Sequence, residues 1–331
     1  MLSFDKGERK IAIIKGGKYN KKILRLSDND KKVKFEDSDS DSGEEGDEYI
    51  ESDYPVELVG DDFYKKNMKK RFDRDMKFNQ IEQIRKAILK KNPKGLSDEQ
   101  KKIYKLAITH IVETCKKEVD LDDGILIPLP QKIGNQIEHI YIAGPTGSGK
   151  TTWVGEYVKE YKRLFPEQPI WVFSRLNEDV ILDKYNVKRI ILDKGLIEGE
   201  PINASEFLEG NKGALVIFDD IDTIPDQKIN KEVHRIRDDL LEVGRHDNVS
   251  VLSTGHQLMD YKRTRNLLNE ASAVTFFPKS GSQYHITRFL KVYCGIPTEG
   301  IKKILALPSR WVTIYKTYPM YVLHQRGAFL L

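Results

Sequence analysis

The run Ile140-Tyr-Ile-Ala-Gly144-Pro-Thr-Gly-Ser-Gly-Lys150-Thr151 decides the fold. An apolar strand runs straight into the pattern G-x-x-x-x-G-K-[ST], and an amphipathic stretch over 151–164 follows it. Glycines let the backbone turn tightly, so that successive N–H groups point inward and cradle a phosphate, and the next helix adds the positive end of its dipole. The candidate phosphate contacts are therefore Gly144, Pro145, Thr146, Gly147, Ser148, Gly149, Lys150, Thr151 and Thr152. Lys150 supplies a mobile charge for the β- and γ-phosphates of ATP, and Thr151 a hydroxyl for Mg2+.

Working outward, the chain from Gly124 alternates apolar, β-branched runs (137–143, 170–174, 189–192, 214–218, 249–253, 273–277) with helical patterns, notably 151–164 and 230–243. Near-continuous apolar strands between helices predict a mostly parallel sheet covered on both faces, an α/β fold of the phosphate-loop NTPase (RecA/ASCE-like) type. The stretches 311–315 and 321–324, around Pro319, predict a β-hairpin at the sheet edge. Trp153, Tyr157 and Tyr161 repeat at i, i+4 and i+8, which is core spacing rather than a base-stacking platform.

The run Leu215-Val-Ile-Phe-Asp219-Asp220 reads as a buried strand ending in two carboxylates. Beside the phosphate loop, Asp219 is assigned to the Mg2+ shell. Asp220 would face the γ-phosphate as the base for the attacking water, although it is one methylene shorter than Glu. Glu178, just past the second strand, competes for that role. The tip of the strand ending Ser253-Thr254-Gly-His256-Gln257 would also point at the γ-phosphate, with Gln257 and Thr254 as sensors. His256 reads as either structural or catalytic. Arg245, at the end of the 230–243 helix, would serve as a finger on a neighbouring subunit's nucleotide, with Arg175 in reserve; its plain alternative is a helix-end cation. Lys262, Arg263 and Arg265 lie in a loop leaving this region. They read as a solvated run or as contacts to DNA phosphates.

The chain has 331 residues, of which 39% are hydrophobic and 32% charged, so it is polar but long enough to bury a core. No apolar run reaches membrane-spanning length, and residues 1–10 lack a signal-peptide core, so no stable membrane insertion is expected. Two cysteines, Cys115 and Cys294, exclude a disulfide scaffold and a multi-cysteine zinc site. Charge is concentrated in the first third. Residues 1–34 hold 11 Lys/Arg against 4 Asp/Glu, residues 35–62 hold 13 Asp/Glu and no Lys/Arg, and residues 63–120 hold 17 Lys/Arg against 8 Asp/Glu. The organisation read from this is a basic N-terminal segment (1–35), an acidic disordered linker (36–60), a basic helical hairpin (61–122) and the phosphate-loop domain (123–331). The basic segment is compatible with a short hairpin through Gly16-Gly17 or with an arm that orders on a partner.

Together, GPTGSGKT (144–151), WVFSR (171–175), LVIFDD (215–220) and GRHDNVSVLSTGHQ (244–257) resemble the FtsK–HerA superfamily. The likeness is strongest to the poxvirus-type genome-packaging ATPases of large double-stranded DNA viruses. It covers residues 125–331 and none of 1–120. It implies ATP hydrolysis, with Mg2+, coupled to threading double-stranded DNA into a preformed capsid. It also implies a homo-oligomeric ring, expected to be a hexamer, docked on a capsid or portal-vertex component in the host cytoplasm or the virion. Lys150, Thr151, Asp219 and Gln257 inherit the phosphate, metal and sensor roles. Asp220 departs from the pattern, since many members carry Glu there. A cellular-type DNA pump or helicase and a non-motor ATP-dependent switch are the rival readings.

Overall fold

The computed structural model describes residues 2–4, 7–26, 118–131, 138–260 and 263–331. At the start of the chain, β1 (Leu2–Ser3), β2 (Arg9–Lys15) and β3 (Ile23–Leu26) are followed by β4 (Glu118–Asp120) and β5 (Ile125–Pro128). β2 and β3 form an antiparallel hairpin whose turn uses positive φ at Gly16 and Gly17. This hairpin joins β1 and β5 in a four-stranded antiparallel sheet of order β1-β3-β2-β5. Of the two forms compatible with the basic segment, the hairpin is the one the chain adopts.

The second sheet has ten strands. Six are parallel: β6 (Ile140–Ala143), β7 (Ile170–Ser174), β8 (Lys188–Ile191), β9 (Leu215–Phe218), β10 (Ser250–Gly255) and β11 (Ala273–Phe276), in the order β11-β6-β10-β9-β7-β8. β12 (Val312–Tyr315), β13 (Tyr321–His324) and β14 (Gly327–Leu330) then extend the sheet antiparallel from β11, and β4 closes the edge. The hairpin expected at the edge is thus interior. β14 follows a two-residue turn at Gln325-Arg326, and β4 is three residues long, too short for either to leave a readable period. The end of the segment expected to be a helical hairpin therefore belongs to the main sheet; its residues 61–117, and the acidic linker, lie outside the described residues.

Both faces of the parallel half are covered, as its continuous apolar strands require. On one face, α1 (Lys150–Leu164) packs Trp153, Val154, Tyr157, Val158 and Tyr161 against Ile140, Ile142, Val172, Ile217 and Leu252. The four-stranded sheet shares this face through Leu2, Ile11, Ile14 and Leu24. Trp153 and Tyr157 stack at 5.5 Å, as their core spacing predicts. On the other face lie α2 (Gly195–Glu198), α3 (Ala204–Glu209), α4 (Gln227–Val243), α5 (Arg265–Glu270), α6 (Gln283–Val292) and α7 (Thr298–Leu305). Alternate residues of each strand, such as Tyr141 and Ala143 or Val216 and Phe218, point to this second face. No helix of the described residues is long and apolar enough to cross a membrane.

Candidate functional site

β10 lies between β6, which feeds the phosphate loop, and β9, which ends just before Asp219. All three are parallel, so the loop, the two carboxylates and the tip of β10 meet at one edge of the sheet. This is the switch-point geometry in which open α/β sheets bind ligands.

The loop curls through positive φ at Gly147 (76°) and Gly149 (111°), and α1 starts immediately after Gly149. The amine of buried Lys150 donates to Gly144 O at 3.0 Å and sits 3.5 Å from Asp220 Oδ1. Ser148 Oγ is buried within the loop with no hydrogen-bond partner among the described residues. Thr151 and Thr152 are exposed at the start of the helix.

Asp219 is held by two hydroxyls: Ser174 Oγ donates to its Oδ2 at 3.1 Å and Thr254 Oγ1 lies 3.1 Å from its Oδ1. Burial, and then the charge of Asp220, push the Asp219 carboxyl above its ordinary range, while these two hydroxyls oppose the shift. Asp220 stands in the left-handed region at φ 45°, an unusual backbone for a residue with a Cβ. Its N–H donates to Thr254 Oγ1 at 2.8 Å, and its Oδ1 is 3.0 Å from the same hydroxyl. Thr254 therefore ties both carboxylates to the tip of β10.

His256 reaches the same edge. Its Nε2 is 3.3 Å from Thr146 Oγ1 in the phosphate loop and 3.8 Å from Asp220 Oδ2. Gln257 is exposed, with its backbone carbonyl accepting from the Tyr141 hydroxyl. Arg175 and Glu178 are exposed in the segment leaving β7 at this edge. Arg245 is elsewhere. It is exposed in the turn before β10, so the length of that six-residue strand, roughly 20 Å at 3.3 Å per residue, separates it from the loop of its own protomer.

Two contributors have no motif. Arg310, from the segment before β12, donates from Nε to Ser148 O at 2.9 Å and from Nη2 to Gly147 O at 3.3 Å. It braces the outside of the loop, and its own N–H is held by Gln325 Oε1 at 2.8 Å. Asp222, three residues past Asp219, binds His256. The loop carbonyls that its guanidinium binds lie more than 160 residues away in sequence, so no local pattern marks it.

The oxygen donors Thr151 and Asp219 suit Mg2+, a hard cation that takes hydroxyl, carboxylate and phosphate oxygens. In chemical terms the edge offers a phosphate cradle, a cation for phosphate oxygens, a metal-type carboxylate and a second carboxylate facing the loop.

No family model matches the chain. It is 42% identical over 215 residues to the uncharacterized protein V3 of Sputnik virophage, an alignment spanning 64% of this chain and 84% of the relative. Among solved structures it is similar to the genome packaging NTPase B204 from Sulfolobus turreted icosahedral virus 2, solved with AMPPCP, at 11% identity and TM-score 0.37 over 55% of this chain and 92% of that one. It is also similar to the cytoplasmic domain of the Thermomonospora curvata Type VII secretion ATPase EccC, at 14% identity and TM-score 0.41 over 63% of this chain and 28% of that one. With the strand order above and its match across most of V3, the chain is a phosphate-loop NTPase fold and belongs to the same family as that virophage protein.

Proposed function

We propose that the chain is an ATP-hydrolysing motor that translocates double-stranded viral DNA into a preformed capsid. The observation that carries this is the convergence of Lys150, Asp219, Asp220 and Thr254 on the mouth of the phosphate loop. The loop N–H groups and the start of α1 bind the β-phosphate. Lys150 then exchanges its carbonyl and carboxylate partners for phosphate oxygens, which frees Asp220 to face the nucleophile. Thr151 and Asp219 would hold Mg2+, which would supply charge neutralisation to the phosphates. The expected sensor is Gln257. Arg245 acts in trans, since its position before β10 suits a neighbouring site better than its own, and this supports a homo-oligomeric ring, taken to be a hexamer. The phosphate-loop domain is the engine. The charged segments before it, with a capsid or portal-vertex component as partner in the host cytoplasm, provide docking.

The test is steady-state ATP hydrolysis with and without linear double-stranded DNA, using Lys150→Ala as the blank. A Lys150-dependent rate raised severalfold by duplex supports the motor. Unwinding of a forked substrate without movement along blunt duplex would favour a helicase. One contact favours the non-motor switch, namely the ion pair that holds Asp220 on Lys150. Tight ATP binding without turnover would establish that reading instead.

A further inference from the structure

Asp222 belongs to none of the phosphate-loop motifs, yet both of its carboxylate oxygens engage His256. Oδ2 accepts the His256 backbone N–H at 2.7 Å, and Oδ1 lies 3.3 Å from the ring Nδ1. A carboxylate only accepts, so this contact places the ring proton on Nδ1 and leaves Nε2 with its lone pair. With that tautomer Nε2 accepts from the Thr146 hydroxyl of the phosphate loop, 3.3 Å away, and lies 3.8 Å from the carboxylate of Asp220. The Thr146 hydroxyl, which can rotate to another acceptor, gives up this lone pair when a water takes it. Both His256 and Asp220 remain partly open to the site, at 28% and 34% side-chain exposure.

Two acceptors 3.8 Å apart do not bond to each other. A water about 2.8 Å from each, an ordinary hydrogen-bond length, completes a triangle with an angle of roughly 85° at its oxygen. Such a water donates one proton to Asp220 Oδ2 and one to His256 Nε2, and its lone pairs face away from both. We infer that Asp220 and His256 jointly hold the water that attacks the γ-phosphate, with Asp222 as the positioning residue that sets the ring's tautomer. This deepens the ATPase reading above and rests on it. It also explains how Asp220, one methylene shorter than Glu, serves at this position: the imidazole supplies the second anchor.

In the step, the water oxygen forms a bond to the γ-phosphorus while the bond from that phosphorus to the β–γ bridging oxygen breaks. The electron pair of the broken bond leaves on the ADP β-phosphate. One water proton passes to His256 Nε2, and the imidazolium so formed is stabilised by the Asp222 and Asp220 carboxylates before it returns the proton to solvent.

The experiment measures kcat for Mg-ATP hydrolysis, and Kd for a non-hydrolysable ATP analogue, on the full chain and on His256→Ala, His256→Gln and Asp222→Asn. Asn at 222 turns an N–H toward the ring and reverses its tautomer while preserving shape. His256→Ala and Asp222→Asn are expected to lower kcat at least tenfold with the analogue Kd within twofold. His256→Gln, whose amide oxygen still accepts, is expected to retain more activity than His256→Ala. The double variant should be no worse than the poorer single within about twofold, because the two residues act as one unit. A kcat within twofold of wild type in either His256→Ala or Asp222→Asn would overturn the inference, as would a loss of analogue binding matching the loss of rate. If the wild-type chain shows no Lys150-dependent hydrolysis, the ATPase reading falls and this inference with it. If the wild type hydrolyses ATP and the variants match it, the inference alone falls.

Discussion

The Thr254 hydroxyl accepts the Asp220 N–H and lies within hydrogen-bonding distance of a carboxylate oxygen on each of Asp219 and Asp220. With a single proton to donate, it serves one carboxylate at a time. Thr254→Val keeps the shape but strands the Asp220 N–H, a change that costs about 1–3 kcal/mol when a partly buried donor loses its partner. A urea titration should show that loss, and kcat should fall with it. Arg310→Ala removes two bonds to loop carbonyls and leaves every phosphate-facing N–H in place. Weakening of ATP binding by about tenfold, the equivalent of about 1.4 kcal/mol, is expected in a fluorescent-nucleotide titration. Unchanged affinity would mean that the loop keeps its shape without the guanidinium. These residues also mark the limit of what the sequence discloses. Lys150 and Asp219 are legible because their chemistry is written in contiguous runs. Arg310 and Asp222 act on backbone or side chains far along the chain, and nothing around them in sequence indicates a role.

At the scale of elements, two buried titratable residues just before β6 are shifted in opposite directions. Burial pushes the Glu138 carboxyl up to about 7, against the pull of bonds from the Gln131 N–H and the Tyr157 hydroxyl. Burial pushes its neighbour His139 down to about 4; its Nδ1 accepts the Val251 N–H at 3.2 Å. A carboxyl raised in the fold favours the native state below about 4.5 and loses that contribution as pH rises through 7. A histidine lowered in the fold contributes above about 6.5 and loses its contribution as pH falls through 4. The two slopes cancel between pH 4.5 and 6.5, each being about 1.4 kcal/mol per pH unit. Glu138→Gln should therefore uncover a rise in stability of roughly 3 kcal/mol across that window, read as the urea midpoint against pH. Loop and helix also meet closely on α1. A Cβ on Gly155 would come within 2.3 Å of Ile181 Cγ2, so Gly155→Ala should cost about 1–3 kcal/mol through overpacking. The parallel strands are readable from their apolar runs, with ends displaced by three residues at most. The start of α4 is not: Asp226 caps it through the Lys228 and Ile229 N–H groups, so the helix begins at Gln227, three residues before the periodic pattern.

At the scale of the molecule, the distance between Arg245 and its own phosphate loop makes a mixing experiment decisive. Lys150→Ala lacks a working loop and Arg245→Ala lacks the finger, so each alone should be inactive. Mixed subunits should recover part of the hydrolysis if the finger works in trans; if Arg245 only caps α4, Arg245→Ala alone should keep its hydrolysis and mixing should add nothing. The chain's path has a further consequence. β3 ends at Leu26, β4 begins at Glu118, and β1, which pairs with β3, packs beside β4. Residues 27–117, with their alternating blocks of charge, thus leave and rejoin one folded body at neighbouring points. They are an insertion tethered at both ends, so whatever they bind stays linked to the phosphate-loop domain. Because closing a loop costs little more as it lengthens, the insertion can be exchanged for a linker of about five residues, which spans roughly 16 Å. The trimmed chain should still fold and bind nucleotide. Any response to DNA or capsid that disappears with the insertion would belong to a graft on the engine, replaceable without rebuilding the engine itself.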